Sequence, residues 1–278
     1  MAASASRELV VGGGTSGNAF AWEAASGANL GSWKPHYRAV TCAAFTDCDT
    51  VLFTGGADAV IHAWLVADLI GSWHTEGAPR PAPLKTLAGH TLPVNHMWVG
   101  FGGTAARLVS SSTDRSVKVW GLHSAHPVVS FEAPCAVNVS VCDAIEAAVF
   151  MGAADGTIYE AGLHAAAVRD VPVATIGGQG GGEGAVRALR GHSRAVTDLK
   201  MAGDGVYMVS ASEDHSVRVW DVAARQVVGV FGNHVAPVRA LLLIPKPTIG
   251  GGSRKSDATA GIAVPFRKHP TPKATLAE

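Results

Sequence analysis

GHSRAVTDLKMAGDGVYMVSASEDHSVRVWD, Gly191 to Asp221, decides how the rest of this chain is read. Alternating apolar positions mark three short strands: Ala195-Val196 with Leu199 and Met201, then Val206 to Ser210, then Val217 to Trp220. The triplets Gly203-Asp204-Gly205 and Glu213-Asp214-His215 between them have the chemistry of tight turns. Val227 to Phe231 supplies a fourth strand, so the unit predicts one four-stranded antiparallel sheet. A sheet this small cannot bury both faces alone and needs stacked neighbours.

Four polar residues sit where strand alternation can bring them together: His192, Ser210, Asp214 and Trp220. An indole donates, a hydroxyl and an imidazole do both, and a carboxylate accepts. A chain Trp–Ser–His–Asp would therefore satisfy every group while buried. The competing reading is a Ser/His/Asp catalytic triad. No strained nucleophile turn accompanies the serine, and the whole set recurs, which favours a structural role.

The recurrences extend the reading along the chain. Ser110, Asp114 and Trp120 repeat the offsets, with Gly89-His90 upstream. Thr54, Asp58 and Trp64 do so again after His36, where Lys34-Pro35 replaces the usual glycine. A degenerate copy, Ala136 to Leu163, keeps Asp155 but has Met151 for the hydroxyl and Ala161 for the tryptophan, so apolar packing must hold it. Partial copies end at Trp22 and begin at His234, fading after Ile244. Gly-His followed by Trp-Asp resembles the WD repeat of β-propellers, with its period of about 40–45 residues. That resemblance implies an all-β, incomplete propeller of five to six recognisable blades over residues 1–245, followed by a basic Pro/Gly-rich tail, 246–278.

The 278 residues carry formal net charge zero and are 47% hydrophobic, enough for a sizeable core and a poor match for a general polyanion binder. No apolar run is long enough for a membrane helix, and MAASASRELVVGGG lacks a signal-peptide pattern. Cys42, Cys48, Cys135 and Cys142 lack metal spacing and read as reduced, mostly buried thiols. The twelve histidines form no metal motif, so no metal, cofactor or small-molecule substrate is expected. Gly12 to Gly17, GGGTSG, formally matches a dinucleotide fingerprint. The next segment is Ala19-Phe20-Ala21-Trp22-Glu23 rather than a helix, so the glycines read as a hairpin.

Two insertions interrupt the repeats: Asp68 to Lys85, containing Trp73, Pro79, Pro81 and Pro83, and His164 to Arg187, which is Gly-rich. Both read as loops, the first a candidate binding element. His and Asp of each tetrad must share one end of their sheet. Arg38, Arg115, Arg194, Glu213 and His215 are therefore expected on one rim, a candidate partner face.

Further stretches narrow the resemblance. They are Ala21-Trp22-Glu23, His36 to Cys42, Phe101-Gly102-Gly103-Thr104-Ala105-Ala106-Arg107, Met151 to Ile158 and Val264 to His269. Together they resemble the WD-repeat subunit of the nuclear complex that matures the large ribosomal subunit. The resemblance implies a non-catalytic scaffold of the nucleolus and nucleoplasm. Its partners would be helical-repeat and small protein subunits, with an AAA-type remodelling ATPase recruited through the complex and RNA contacted at most indirectly. The process would be removal of an internal spacer between rRNAs. An adaptor of a ubiquitin ligase or a chromatin complex is the alternative, since fold alone does not fix function. Members of that family carry about one further blade before the equivalent of Leu9 and a helical segment after His269. The expectation here is a truncated ring with an exposed sheet edge at Val10 and Val11, only one strand in His234 to Ile244, and a tendency to oligomerise.

Overall fold

The computed structural model describes residues 2–243 apart from 5, 7, 75–80, 104–105, 144, 164–172, 176–185 and 233. The unit of interest is Met1–Ile244. Five antiparallel sheets follow one another along the described chain. The first holds β1 (Ala2–Ala3), β2 (Leu9–Gly13), β3 (Ala19–Glu23) and β4 (Asn29–Trp33). The second holds β5 (Val40–Phe45), β6 (Val51–Gly56) and β7 (Val60–Leu65). It is completed, after helix α1 (Val66–His74), by β8 (Lys85–Ala88). The third runs β9 (Val94–Val99), β10 (Arg107–Ser112), β11 (Ser116–Gly121) and β12 (Pro127–Glu132). The fourth is β13 (Val137–Cys142), β14 (Ala148–Ala153) and β15 (Ile158–Gly162). The chain then adds β16 (Val173–Thr175) parallel to β12 of the third sheet, before β17 (Arg187–Leu189) closes the fourth. The fifth is β18 (Val196–Met201), β19 (Tyr207–Ser212), β20 (Val217–Asp221) and β21 (Gln226–Phe231).

Period-two alternation explains the stacking. In β6, Leu52 faces the first sheet beside Val11, Ala19 and Trp33, while Val51 and Phe53 face the third beside Met97, Leu108 and Trp120. The same division recurs at each step. Val109, Val119 and Phe131 meet Val149, Met151 and Ala161, and Phe150 and Ile158 meet Leu199, Met208 and Trp220. Met151 and Ala161 are fully buried, so the degenerate fourth sheet does hold by apolar packing. One polar tie adds to it, since the Tyr159 hydroxyl donates to Asp155 at 2.9 Å.

A second recurring contact joins the innermost strands. Four of them, β5, β9, β13 and β18, carry a bulge, and the bulged residue donates its side chain to a valine carbonyl of the segment that follows, a sheet strand in the first three cases. Thr41 reaches Val94, Asn95 reaches Val137 at 2.9 Å, Asn138 reaches Val196 at 3.0 Å, and Thr197 reaches Val238. Val238 thus takes the position that opens each inner strand. It packs with Leu241 and Leu243 over Val209, Ala211, Val217 and Val219 of the fifth sheet. The five sheets do not close into a ring.

Several expectations need correction. The first sheet is not a partial copy ending at Trp22, because β4 follows it. Val10 and Val11 do not form a free edge, because β1 pairs with them: Ala2 opposite Val11 and Ala3 opposite Val10. The segment from His234 forms no strand among its described residues and is held by the Thr197 contact and by Leu241 N–H donating to Asp198 at 2.7 Å. The first insertion begins as a helix, not a loop. Val66, Leu69, Ile70 and Trp73 follow helical spacing, and Val66 and Leu69 are buried with Trp33 and Trp64. Most of the Gly-rich insertion lies outside the described residues, as does the tail. All four cysteines are free: Cys142 is buried, Cys42 and Cys135 half-buried, and Cys48 exposed rather than interior.

Candidate functional site

Three of the sheets assemble the polar chain read from the sequence. In the fifth, Trp220 Nε1 donates to Ser210 Oγ at 2.8 Å, Ser210 meets His192 Nε2 at 2.6 Å, and His192 Nδ1 meets Asp214 at 2.9 Å. In the third, the distances for Trp120, Ser110, His90 and Asp114 are 2.9, 2.8 and 2.9 Å. In the second, Trp64, Thr54, His36 and Asp58 give 3.0, 3.1 and 3.0 Å.

Valence fixes the direction of each chain. The hydroxyl accepts the indole proton, so its own proton goes to Nε2, and Nδ1–H is left to donate to the carboxylate. That is also the polarity of a catalytic triad, but here Ser110, Ser210 and Thr54 have no exposed surface at all. No substrate carbonyl can reach those oxygens, and the indole already occupies one lone pair of each. These groups brace the loops.

The carboxylates do more than hold histidine. Asp214 also accepts from Ser193 N–H at 3.1 Å, Ser216 N–H at 2.9 Å and Ser216 Oγ at 2.6 Å. Asp114 does the same with Thr91 N–H, Ser116 N–H and Ser116 Oγ at 3.0, 2.9 and 2.6 Å. Burial alone would raise both carboxyls. The hydrogen bonds from Ser216 and His192, and from His90 and Ser116, outweigh it and hold them far below the usual carboxylate range. Burial pushes His192 down, against the pull of Asp214. Ser116 and Ser216 were not singled out from the sequence. Their signal is a serine two residues after the aspartate, absent from the second sheet, where Val60 stands.

Two loops at the same end of each of these sheets are therefore pinned together. The residue after each aspartate takes a left-handed conformation: Ala59 at φ 66°, Arg115 at 67° and His215 at 66°. Arg38 and Arg194 follow His36 and His192 by two residues and are exposed, as are Arg115 and Glu213, while His215 is half-buried. The first sheet lacks the tetrad, and its half-buried Trp22 stacks on Phe20 at 6.0 Å. Its GGGTSG stretch is a hairpin between β2 and β3, as expected, and Gly17 (φ 83°) lies against the His36 loop.

Comparison with known proteins agrees with this geometry. The family described as "WD domain, G-beta repeat" matches residues 27–64, 81–121 and 184–221, the spans that end in Trp64, Trp120-Gly121 and Trp220-Asp221. The chain is 33% identical over 231 residues to Pre-rRNA-processing protein IPI3 of Yarrowia lipolytica, covering 82% of this chain and 52% of that protein. It is 29% identical over 255 residues to WD repeat-containing protein 18 of Danio rerio, covering 91% of this chain and 56% of that one. It is also 29% identical over 281 residues to Protein ROOT INITIATION DEFECTIVE 3 of Arabidopsis thaliana, covering 98% and 61%. The chain thus spans between about half and three fifths of the length of these relatives. Tetrads, sheet order and sequence matches agree: residues 27–64, 81–121 and 184–221 are WD repeats, and the sheets are the blades of an incomplete β-propeller.

Proposed function

We propose that this chain is a non-catalytic scaffold in ribosome biogenesis, supporting pre-rRNA processing through protein–protein contacts. The similarity that runs along most of the chain to a protein named for pre-rRNA processing carries this reading. Domain limits of 1–245 for the propeller and 246–278 for a basic tail go with it. Its partners are protein subunits of a nuclear complex that acts on large-subunit precursors, working in nucleolus and nucleoplasm. An AAA-type remodelling ATPase is engaged through that complex, and RNA indirectly. The partner face is the rim bearing Arg38, Arg115, Arg194, Glu213 and His215. What supports that choice is physical: buried tetrads fix the loops beneath these side chains, so binding costs little ordering entropy.

Purification of the tagged chain from nuclear extract tests this. Large-subunit rRNA precursors and their assembly proteins should copurify. Recovery of ubiquitin-ligase or chromatin subunits without those precursors would place the chain in another process.

A further inference from the structure

A cleft lies between the first and second sheets, where the second repeat breaks two habits of its sisters. In the third and fifth sheets a glycine precedes the tetrad histidine, and a Cβ there would stand 2.9 Å from the Trp120 or Trp220 ring. A cationic side chain two residues before each tryptophan fills the space alongside. Lys118 lies 3.6 Å from the Gly89 position and Arg218 2.9 Å from the Gly191 position. In the second repeat Pro35 replaces the glycine and His62 replaces the cation. The His62 ring is engaged by Thr86 Oγ1 at 3.0 Å, and burial and nearby His36 lower its affinity for a proton.

Beside these two residues is a cleft of about 680 Å³, reaching from β4 to β7. Pro35, Pro81, Pro83 and Tyr37 wall it, with the edges of the Trp33 and Trp64 indoles. Tyr37 is 93% exposed, so its ring is available to a ligand. Lys34 is the only lysine, arginine or carboxylate among the described residues of its lining.

We propose that this cleft is a docking groove for an extended peptide carrying prolines and a carboxylate. Proline rings stack on aromatic and proline walls, and a polyproline-type segment is already extended before it binds. A cleft of this volume lies within the range of about 300–1,000 Å³ typical of ligand sites. Lys34, the one charged side chain among the described lining residues, selects a carboxylate. An RNA strand, with a phosphate on every nucleotide, needs more than one cation. Tyr37 adjoins Arg38 of the rim, but the groove is tested at Tyr37, Lys34 and His62, none of them a rim residue, so it can fail or succeed independently of the scaffold reading.

Fluorescence anisotropy on the full chain tests the groove, using a short labelled peptide of alternating proline and glutamate. Saturable binding is expected, weakened about tenfold or more by Tyr37→Ala and by Lys34→Glu. His62→Arg restores the side-chain type of the sister sheets and should close the cleft, abolishing binding while circular dichroism shows the fold intact. The proposal is overturned by absence of saturable binding to the unmodified chain, or by unchanged affinity in Tyr37→Ala. Tighter binding of the matching proline–lysine peptide overturns it too, as does Lys34-dependent binding of oligouridylate.

Discussion

Asp214→Ala should lower the stability of the chain by about 3–5 kcal/mol, because it strips a nearly buried carboxylate from the buried side chains of His192 and Ser216. His192 Nδ1–H, Ser193 N–H and both donors of Ser216 lose their acceptor at once. The matching change in the degenerate sheet is the control. Asp155 is exposed and has no histidine to hold, its donors being the Tyr159 hydroxyl, Thr157 N–H and the Cys135 thiol, so Asp155→Ala should cost about 1 kcal/mol or less. Denaturant titration of both variants decides the matter, and equal small shifts would mean the tetrad carries little stability. Acid adds a second readout. The folded Asp214 carboxyl is depressed, so its contribution is fully present above the unfolded value of about 4 and is lost as pH falls through the lower folded value. Asp214→Ala should therefore flatten the acid limb of the melting curve against pH.

Gly17→Ala is expected to be nearly as damaging, at about 3 kcal/mol. The added Cβ would lie 2.2 Å from the His36 carbonyl oxygen and 2.7 Å from that of Arg38, both backbone atoms. The residue also sits at φ 83°, where an L side chain costs about 1–2 kcal/mol by itself. The contact must shift the loop that carries His36, so damage in the first sheet spreads to the tetrad of the second. Gly27 separates the two causes. It has φ 71°, but a methyl added there would meet nothing within 4 Å, so Gly27→Ala should show the conformational cost alone. Thermal melts in which the two variants fall together would show that the close approach at Gly17 carries no weight.

The repeat was legible in the sequence because it depends on chemistry that only a few residue types can supply. Indole, hydroxyl, imidazole and carboxylate recur at fixed offsets, and the structure places each where the hydrogen bonds require. The degenerate sheet was legible from what Met151 and Ala161 replace. Elements without such chemistry were missed. β1 is two alanines paired across to Val10 and Val11, and β4 is Asn29-Leu30-Gly31-Ser32-Trp33, with little apolar alternation to mark it. Helix α1 did carry a helical pattern in Val66, Leu69, Ile70 and Trp73, but it starts directly after a strand and leads toward a proline cluster, which obscured it. The valine carbonyls that accept from Thr41, Asn95, Asn138 and Thr197 leave no sequence signal, since any residue offers that oxygen. The cleft beside Tyr37 leaves no local signal, because its walls come from stretches far apart in the sequence, at Asn18, Ser32 to Tyr37, His62, Trp64, Pro81 and Pro83.

The rim is where fold and proposed function meet, and one variant addresses both. Arg115→Glu combined with Arg194→Glu reverses two exposed charges that sit on tetrad-braced loops but outside the tetrads themselves. Its melting temperature should stay within a degree or so of the parent, since exposed substitutions of this kind shift stability by about 0.5 kcal/mol or less. In the nuclear-extract purification it should lose the large-subunit assembly proteins and the rRNA precursors that travel with them. An equally stable variant that still recovers both in full would contradict the assignment of this rim as the partner face.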